Sequence, residues 1–230
     1  MTDVEASDAA VRRSGFVAAL TPDEVEALRA LGRSVSFPRE STIFSEGDVS
    51  GRVVIISEGR VKVASATADG HEAVLAVRGP GDLIGELAAI DDRPHSATCT
   101  AIEPVRSIVI PSDAFRDFLG THPRVALHLL RVVTARLRDA DRKRIEFGTQ
   151  DTVGRVAARL IELAEGYGTT DGDGVLIDLP FSQQELAGWI GASRESVVKA
   201  LAQMRTRGWI ETGRRTITVC DLPALRARAM

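Results

Sequence analysis

The chain has 230 residues and 24.7 kDa, longer than a usual domain, so two domains are expected, each able to bury its own core. Hydrophobic residues make up 44% and charged residues 27%, and the formal net charge is −3, which excludes a disordered or collagenous chain. Apolar runs such as Val53-Val54-Ile55-Ile56 fall far short of the ~20 residues that cross a bilayer.

Residues 1–15 form a polar arm with no apolar signal core, so the chain is expected to be cytoplasmic. Cys99 and Cys220 are too few for a disulfide scaffold or a four-thiolate zinc or iron–sulfur site, and both are expected to be unrelated buried thiols. Only Lys62, Lys143 and Lys199 among the 29 basic residues are lysines, a bias that reflects coding composition more than chemistry.

Thr21-Pro22-Asp23-Glu24 marks a helix start, with Thr as cap, Pro in the first turn and acids at the positive end of the dipole; the helix is expected to reach about Leu31. Short β-rich pieces follow at residues 41–44, 53–57, 60–66, 72–77, 97–102 and 106–110, with no long helical pattern between them. Turns carrying Glu46-Gly47-Asp48, Glu58-Gly59, Asp69-Gly70 and Gly79-Pro80-Gly81-Asp82 separate them, which predicts an antiparallel sandwich or barrel over residues 16–121. Asp69-Gly70 is a hairpin signal.

From Ser112 the period becomes helical, and Pro123 opens a segment of about 25 residues. Leu130, Val133, Leu137, Ala140, Arg144 and Phe147 recur at 3-4 spacing, while Arg131, Arg136, Arg138, Asp139, Arg142 and Lys143 are expected on the outer face. The seam fits either a helix packed on its own domain or a two-stranded dimer contact over residues 122–148. Gly148-Thr149-Gln150-Asp151 is the expected boundary, and residues 149–230 form a smaller, mostly helical domain. It begins with a helix striped by Val153, Val156, Ala157, Leu160, Ile161 and Ala164, then a Gly- and Asp-rich loop and a strand over residues 175–179.

Ser182 with Glu185 is a capping box for a helix over residues 183–190. Gly191-Ala192-Ser193 separates it from a second helix whose inward stripe is Val197, Ala200, Leu201 and Met204. Helix, short Gly-bearing turn and helix is the helix-turn-helix pattern, whose second helix enters the major groove. Arg194, Glu195, Ser196 and Lys199 lie in its first two turns, away from the stripe. Arg can fork onto guanine O6 and N7, Glu can accept from cytosine N4, and Lys is a single-point donor. Two short strands around Thr212-Gly213-Arg214-Arg215 would make a wing whose basic tip, Arg214 and Arg215, meets the DNA backbone. Between Leu186 and Val219 six basic residues stand against two acids, opposite in sign to the whole chain.

These residues resemble the cyclic-AMP receptor (Crp-Fnr) family of bacterial transcription regulators from about Phe16 to Val219. The resemblance rests on residues 182–187 and 191–201, and on Glu46-Gly47-Asp48, Gly59-Arg60-Val61, Gly79-Pro80-Gly81-Asp82 and Gly85-Glu86-Leu87 in the family's order and spacing. It implies an α+β architecture: an N-terminal β jelly-roll sensor domain of the cyclic-nucleotide-binding type, a long dimerisation helix and a C-terminal winged helix-turn-helix. It further implies phosphate contacts from Ser182, Gln184 and Ser193, base contacts from Arg194, Glu195 and Lys199, and three partners: a two-fold symmetric DNA duplex, a second copy of the chain and RNA polymerase. Lys199 departs from the arginine often found at its position.

In relatives that bind cyclic AMP, backbone N–H groups at Gly85, Glu86 and Leu87 would face the phosphate, Glu86 would take the ribose hydroxyl, and an Arg-Ser pair would complete the cradle. Here that pair reads His95-Ser96, which removes a bidentate cation worth on the order of 2 kcal/mol. Arg93 lies two residues away, beyond Pro94. The base-facing Thr and following Ser or Asn are replaced by Ala140 and Asp141. Cyclic AMP, another nucleotide and ligand-independent DNA binding therefore remain alternatives, and no cofactor is required. A nucleotide-binding module acting through a protein partner is the competing function. An enzyme finds no support, because no nucleophile–base pair, metal-spaced cluster or phosphate-loop lysine is present. His71 and His122 are expected in surface turns, and His128 as a packing or solvated residue of the long helix.

Overall fold

The computed structural model describes residues 15–49, 51–66, 72–178 and 182–229. Among these the chain forms two compact units, divided within the long helix between Arg138 and Asp139; residues 72–74 count with the second unit.

In the first unit, a 3-10 turn (Val17–Ala19) precedes α1 (Pro22–Ala30), where Thr21 and Glu24 form a reciprocal capping box. Eight strands follow: β1 (Arg33–Phe37), β2 (Thr42–Phe44), β3 (Arg52–Glu58), β4 (Val61–Ala66), β5 (Glu72–Arg78), β6 (Leu83–Ile84), β7 (Thr98–Ala101) and β8 (Val105–Pro111). They make two four-stranded sheets, ordered β1-β8-β3-β6 and β2-β7-β4-β5. Neighbouring strands run antiparallel, with Val53 opposite Ile110 and Val63 opposite Cys99.

The run Val53–Ile56 is buried throughout because both faces of β3 are covered. Val53 and Ile55 pack with Phe16, Leu28, Phe115 and Phe118, while Val54 and Ile56 pack with Ile43, Phe44, Val61 and Cys99. Gly59, at φ +81°, makes the β3–β4 turn; a Cβ there would stand 2.3 Å from the Pro104 carbonyl oxygen.

The six strands expected from sequence are present with ends shifted by a residue or two. Beyond them are β1, β6 and a short helix, α2 (Glu86–Asp91), so the stretch between strands is not free of helix. Asp69-Gly70 and His71 lie outside the described residues. α3 (Ser112–Thr121) leads to α4 (Pro123–Thr149). Val125, Leu129 and Val132 of α4 join the core of the first unit, and buried His128 stacks on Phe16, its Nε2 3.0 Å from the Phe16 carbonyl oxygen. His122 half-covers itself by stacking on Phe118 at 4.0 Å between ring centres.

The expected faces of α4 need correction. Arg136, placed outside by the sequence reading, is turned inward onto Glu86, and Asp139 and Lys143 pair with each other. Leu130 and Leu137 of the predicted seam are each 61% exposed in the single chain; residues 125, 128, 129, 132 and 135 form the covered stripe, so of the two alternatives for the seam, packing on its own domain is the one that does not hold.

The second unit continues α4 and adds α5 (Thr152–Tyr167), β9 (Thr169–Asp171), β10 (Gly174–Asp178), α6 (Gln183–Ile190), α7 (Arg194–Thr206), β11 (Ile210–Thr212), β12 (Thr216–Val219) and α8 (Leu222–Arg228). Its antiparallel sheet is ordered β11-β12-β10-β9. Asp151 caps α5 through the Gly154 amide at 2.8 Å and pairs with Arg228, whose guanidinium holds its carboxyl below the ordinary carboxylate range. Cys220 is exposed, against the expectation of a buried thiol, since it follows the last residue of β12; Cys99 is buried, which pushes its thiol up to about 12.

Candidate DNA interface and sensor pocket

Two capping interactions bound the helix pair. The Ser182 hydroxyl accepts from the Glu185 amide at 3.2 Å, and the Glu185 carboxylate accepts from the Ser182 amide at 2.8 Å, which closes the predicted box at the start of α6. α6 ends at Gly191, whose φ of +62° and ψ of 46° turn the chain sharply, while its amide donates to the Ala187 carbonyl. Ser193 then caps α7 by accepting from the Ser196 amide at 3.1 Å.

Val197, Ala200, Leu201 and Met204 are buried, so the opposite face of α7 is turned to solvent and carries exposed Arg194, Glu195 and Lys199. Ser182, Gln184 and Ser193 are also exposed, at the N-terminal ends of the two helices. β11 and β12 pair Ile210 with Val219 and Thr212 with Ile217, leaving Gly213, Arg214 and Arg215 as the exposed wing tip. Arg215 adopts φ +62° there. Two basic residues in the local charge count have structural uses: the Arg207 guanidinium lies 4.9 Å from the Trp209 ring centre, and Arg205 donates to the Thr212 hydroxyl at 3.4 Å.

The sensor pocket sits in the first unit. Gly85, at φ +82°, precedes α2, whose N-terminus no side chain caps. Its neighbours leave little room: a Cβ at Gly85 would stand 3.0 Å from both the Arg52 carbonyl oxygen and the Phe44 ring. Leu87 is half-exposed, whereas Glu86 is buried and accepts from Arg136 Nη1 at 2.5 Å. Arg136 Nη2 also donates to the Leu83 carbonyl at 2.9 Å and lies 3.5 Å from Asp82 Oδ1. Glu86 is thus a buried carboxylate with a fixed cationic partner.

His95 is buried and stacked on Phe44, 4.1 Å between ring centres, with its amide donating to the Asp48 carbonyl at 2.9 Å. Burial lowers its pKa, a shift opposed by Asp48 and Glu86 and aided by Arg52, so the ring is neutral at neutral pH. Arg52 lies over the other aromatic partner, 5.4 Å from the Phe44 ring centre, and donates to the Ile43 carbonyl at 2.9 Å. Ser96 is exposed beside His95. Ala140 and Asp141 are exposed on the part of α4 that belongs to the second unit.

Arg136, Arg52 and Phe44 escaped the sequence reading. Arg136 had a signal: it follows Leu129 and Val132 at 3-4 spacing on the covered stripe. Arg52 and Phe44 meet His95 only through the sheets, and local spacing shows nothing of it.

Fold and site together define a transcription regulator: a sensor domain built like those that hold cyclic nucleotides, joined to a DNA-binding helix-turn-helix with a wing. The description "Cyclic nucleotide-binding domain" matches residues 34–122, and "Crp-like helix-turn-helix domain" matches residues 154–228. The chain belongs to the Crp-Fnr family. It is 36% identical over 222 residues to a CRP-like cAMP-activated global transcriptional regulator of Mycobacterium tuberculosis, covering 96% of this chain and 99% of that one. It is 28% identical to the cyclic AMP receptor protein of Thermus thermophilus, covering 90% of this chain and 92% of the relative. Among solved structures, a CRP/FNR-family regulator of Thermus thermophilus superposes with a TM-score of 0.72 at 26% identity, covering 86% and 98% of the two chains. FixK2 of Bradyrhizobium japonicum, at 22% identity over 86% and 98%, shares the fold with a TM-score of 0.78. The mycobacterial relative and the Thermus CRP/FNR-family structure are both named as transcriptional regulators. Among the described residues no helix is long and apolar enough to cross a membrane.

Proposed function

We propose that the protein works as a homodimer that reads a two-fold symmetric DNA site with α7 and steadies itself on the backbone with the wing. The observation that carries the reading is the exposed, capped start of α7, where Arg194, Glu195 and Lys199 project away from a buried stripe. Ser182, Gln184 and Ser193 would approach phosphates, as would Arg214 and Arg215 at the wing tip. Leu127, Leu130, Leu137 and Ile145 are 51–65% exposed along α4, a stripe of large apolar side chains that a second copy would cover. Paired recognition helices then meet successive major grooves ~34 Å apart.

The effector we assign to the sensor domain is a cyclic nucleotide, bound by backbone amides from Gly85 to Leu87, by Glu86 and by Ser96. The name of the mycobacterial relative supports cyclic AMP. Neutral, stacked His95 makes the phosphate cradle weaker than an arginine would, and Ala140 with Asp141 alters the base contact. RNA polymerase is the expected target of the bound dimer.

A mobility-shift selection with the full chain and genomic fragments, with and without cyclic AMP, tests the reading. Sequence-selective, salt-sensitive retention is expected. Tight nucleotide binding with no DNA affinity under any condition overturns it and favours a regulatory module that acts on a protein partner.

A further inference from the structure

Phe147 and Arg155 tie the end of the long helix to the turn between the two DNA-binding helices. Phe147 belongs to the last turns of α4, and its ring lies against Gly191 so closely that a Cβ there would stand 2.3 Å from ring atom Cε1. Arg155, in the first turn of α5, lies over that ring at 5.5 Å and spends its guanidinium on backbone carbonyls. Nη1 donates to Gln150 at 2.7 Å, just beyond the end of α4. Nε donates to Ile190 at 2.9 Å, the last residue of α6, and Nη2 reaches the Gly191 carbonyl at 3.5 Å. One cation thus serves the negative ends of two helices, where a fixed positive charge is favoured.

A second set of contacts joins the same elements. Lys143 of α4 bonds Glu162 of α5 at 3.1 Å and stands 5.9 Å from the Trp189 ring centre of α6, while Arg159 of α5 pairs with Glu146 of α4 and, at 2.9 Å, with Glu162. Arg159 is buried, so these pairs are poorly screened. Across the boundary expected at residues 148–151, these contacts link the end of α4, α5 and the turn before α7.

We infer that Arg155 and Phe147 are positioning residues that set the orientation of α7 relative to the dimer helix, and so determine the half-site spacing the protein accepts. The inference rests on the dimeric DNA-binding reading above. Arg194, Glu195 and Lys199 of α7, which would face bases, are separate from this joint. Loosening it should therefore widen tolerance for spacing while leaving the base preference within each half-site intact.

The test uses the full chain and the duplex that the wild type itself selects from a random-sequence library. Versions of that duplex are made with the spacer one or two base pairs longer or shorter, each added pair displacing the half-site by ~3.4 Å and ~34°. Wild type should prefer its own spacing by about tenfold or more, and Arg155→Ala and Phe147→Ala should cut that ratio to about threefold or less, with discrimination at half-site bases unchanged. A partly unfolded variant loses affinity for every duplex by one factor and keeps the wild-type ratio. A retained ratio in both variants, or loss of base discrimination in step with spacing discrimination, overturns the assignment. If the wild type selects no duplex, the DNA reading and this inference fall together; a sharp wild-type optimum that both variants keep refutes the inference alone.

Discussion

Replacing Arg136 by methionine should destabilise the first unit severely. The guanidinium is bonded to Glu86 at 2.5 Å and Leu83 at 2.9 Å, near Asp82, and the Arg136 and Glu86 side chains are only 19% and 5% exposed. Methionine fills much of the volume but strands the Glu86 carboxylate in the interior. Stranding one partner of a buried pair costs about 3–5 kcal/mol, because desolvation of the remaining charge is no longer offset. At roughly 2–4 °C per kcal/mol for a chain of this size, the melting transition of this unit should fall by roughly 6–20 °C. Scanning calorimetry of the full chain at neutral pH, without nucleotide, measures it. Combining Arg136→Met with Glu86→Gln removes both charges and should restore about half of the loss or more. A single variant within about 2 °C of wild type, or a double variant no better than the single one, would refute the reasoning about the buried pair.

Arg194→Ala should lose discrimination at a guanine by roughly 1–3 kcal/mol, whereas Arg215→Ala should weaken all duplexes alike and lower the salt slope by about 1; equal losses everywhere for both would mean the roles are misassigned. His95→Arg should tighten cyclic AMP binding in calorimetry by about 2 kcal/mol, or roughly thirtyfold, and wild-type binding as tight as the variant's speaks against a weakened cradle. Burial holds His128 below its ordinary value of 6.5, against the raising effect of its bond to the Phe16 carbonyl and with help from Arg124 and Arg131. The unfolded chain then takes up that proton first, so the stability of the neutral ring is complete above about pH 6.5 and is lost as pH falls below it. The drop in melting temperature between about pH 7.5 and about pH 5 should shrink in His128→Gln, and an unchanged drop would show that this ring does not govern acid sensitivity.

The DNA-binding half was the more legible. Ser182 with Glu185, Gly191 and Ser193 each act within four residues, so the bounds of α6 and α7 can be read from neighbours along the chain. The wing strands likewise announced themselves through apolar residues on either side of a Gly-Arg-Arg tip. β1 went unread because it is a short, half-exposed edge strand whose partner, β8, lies about seventy positions away along the chain. Cys220 was misjudged because residue type predicts burial only on average, and its place just past β12 is a property of the sheet.

What the amino-acid order determined by itself was local: helix ends, turns, the periods that separate β-roll from helices, and the chemistry at the start of α7. The tertiary structure alone decided which of two apolar stripes on α4 is covered, and that Arg136 turns inward onto Glu86, fifty positions earlier. It also decided that His95 stacks on Phe44 and that Phe147 covers Gly191 rather than extending a seam. Caps and periods arise from forces between near neighbours along the chain. Burial and pairing depend on which distant segments fill the space beside a side chain, and a helix with two apolar faces satisfies the same local pattern whichever face is covered.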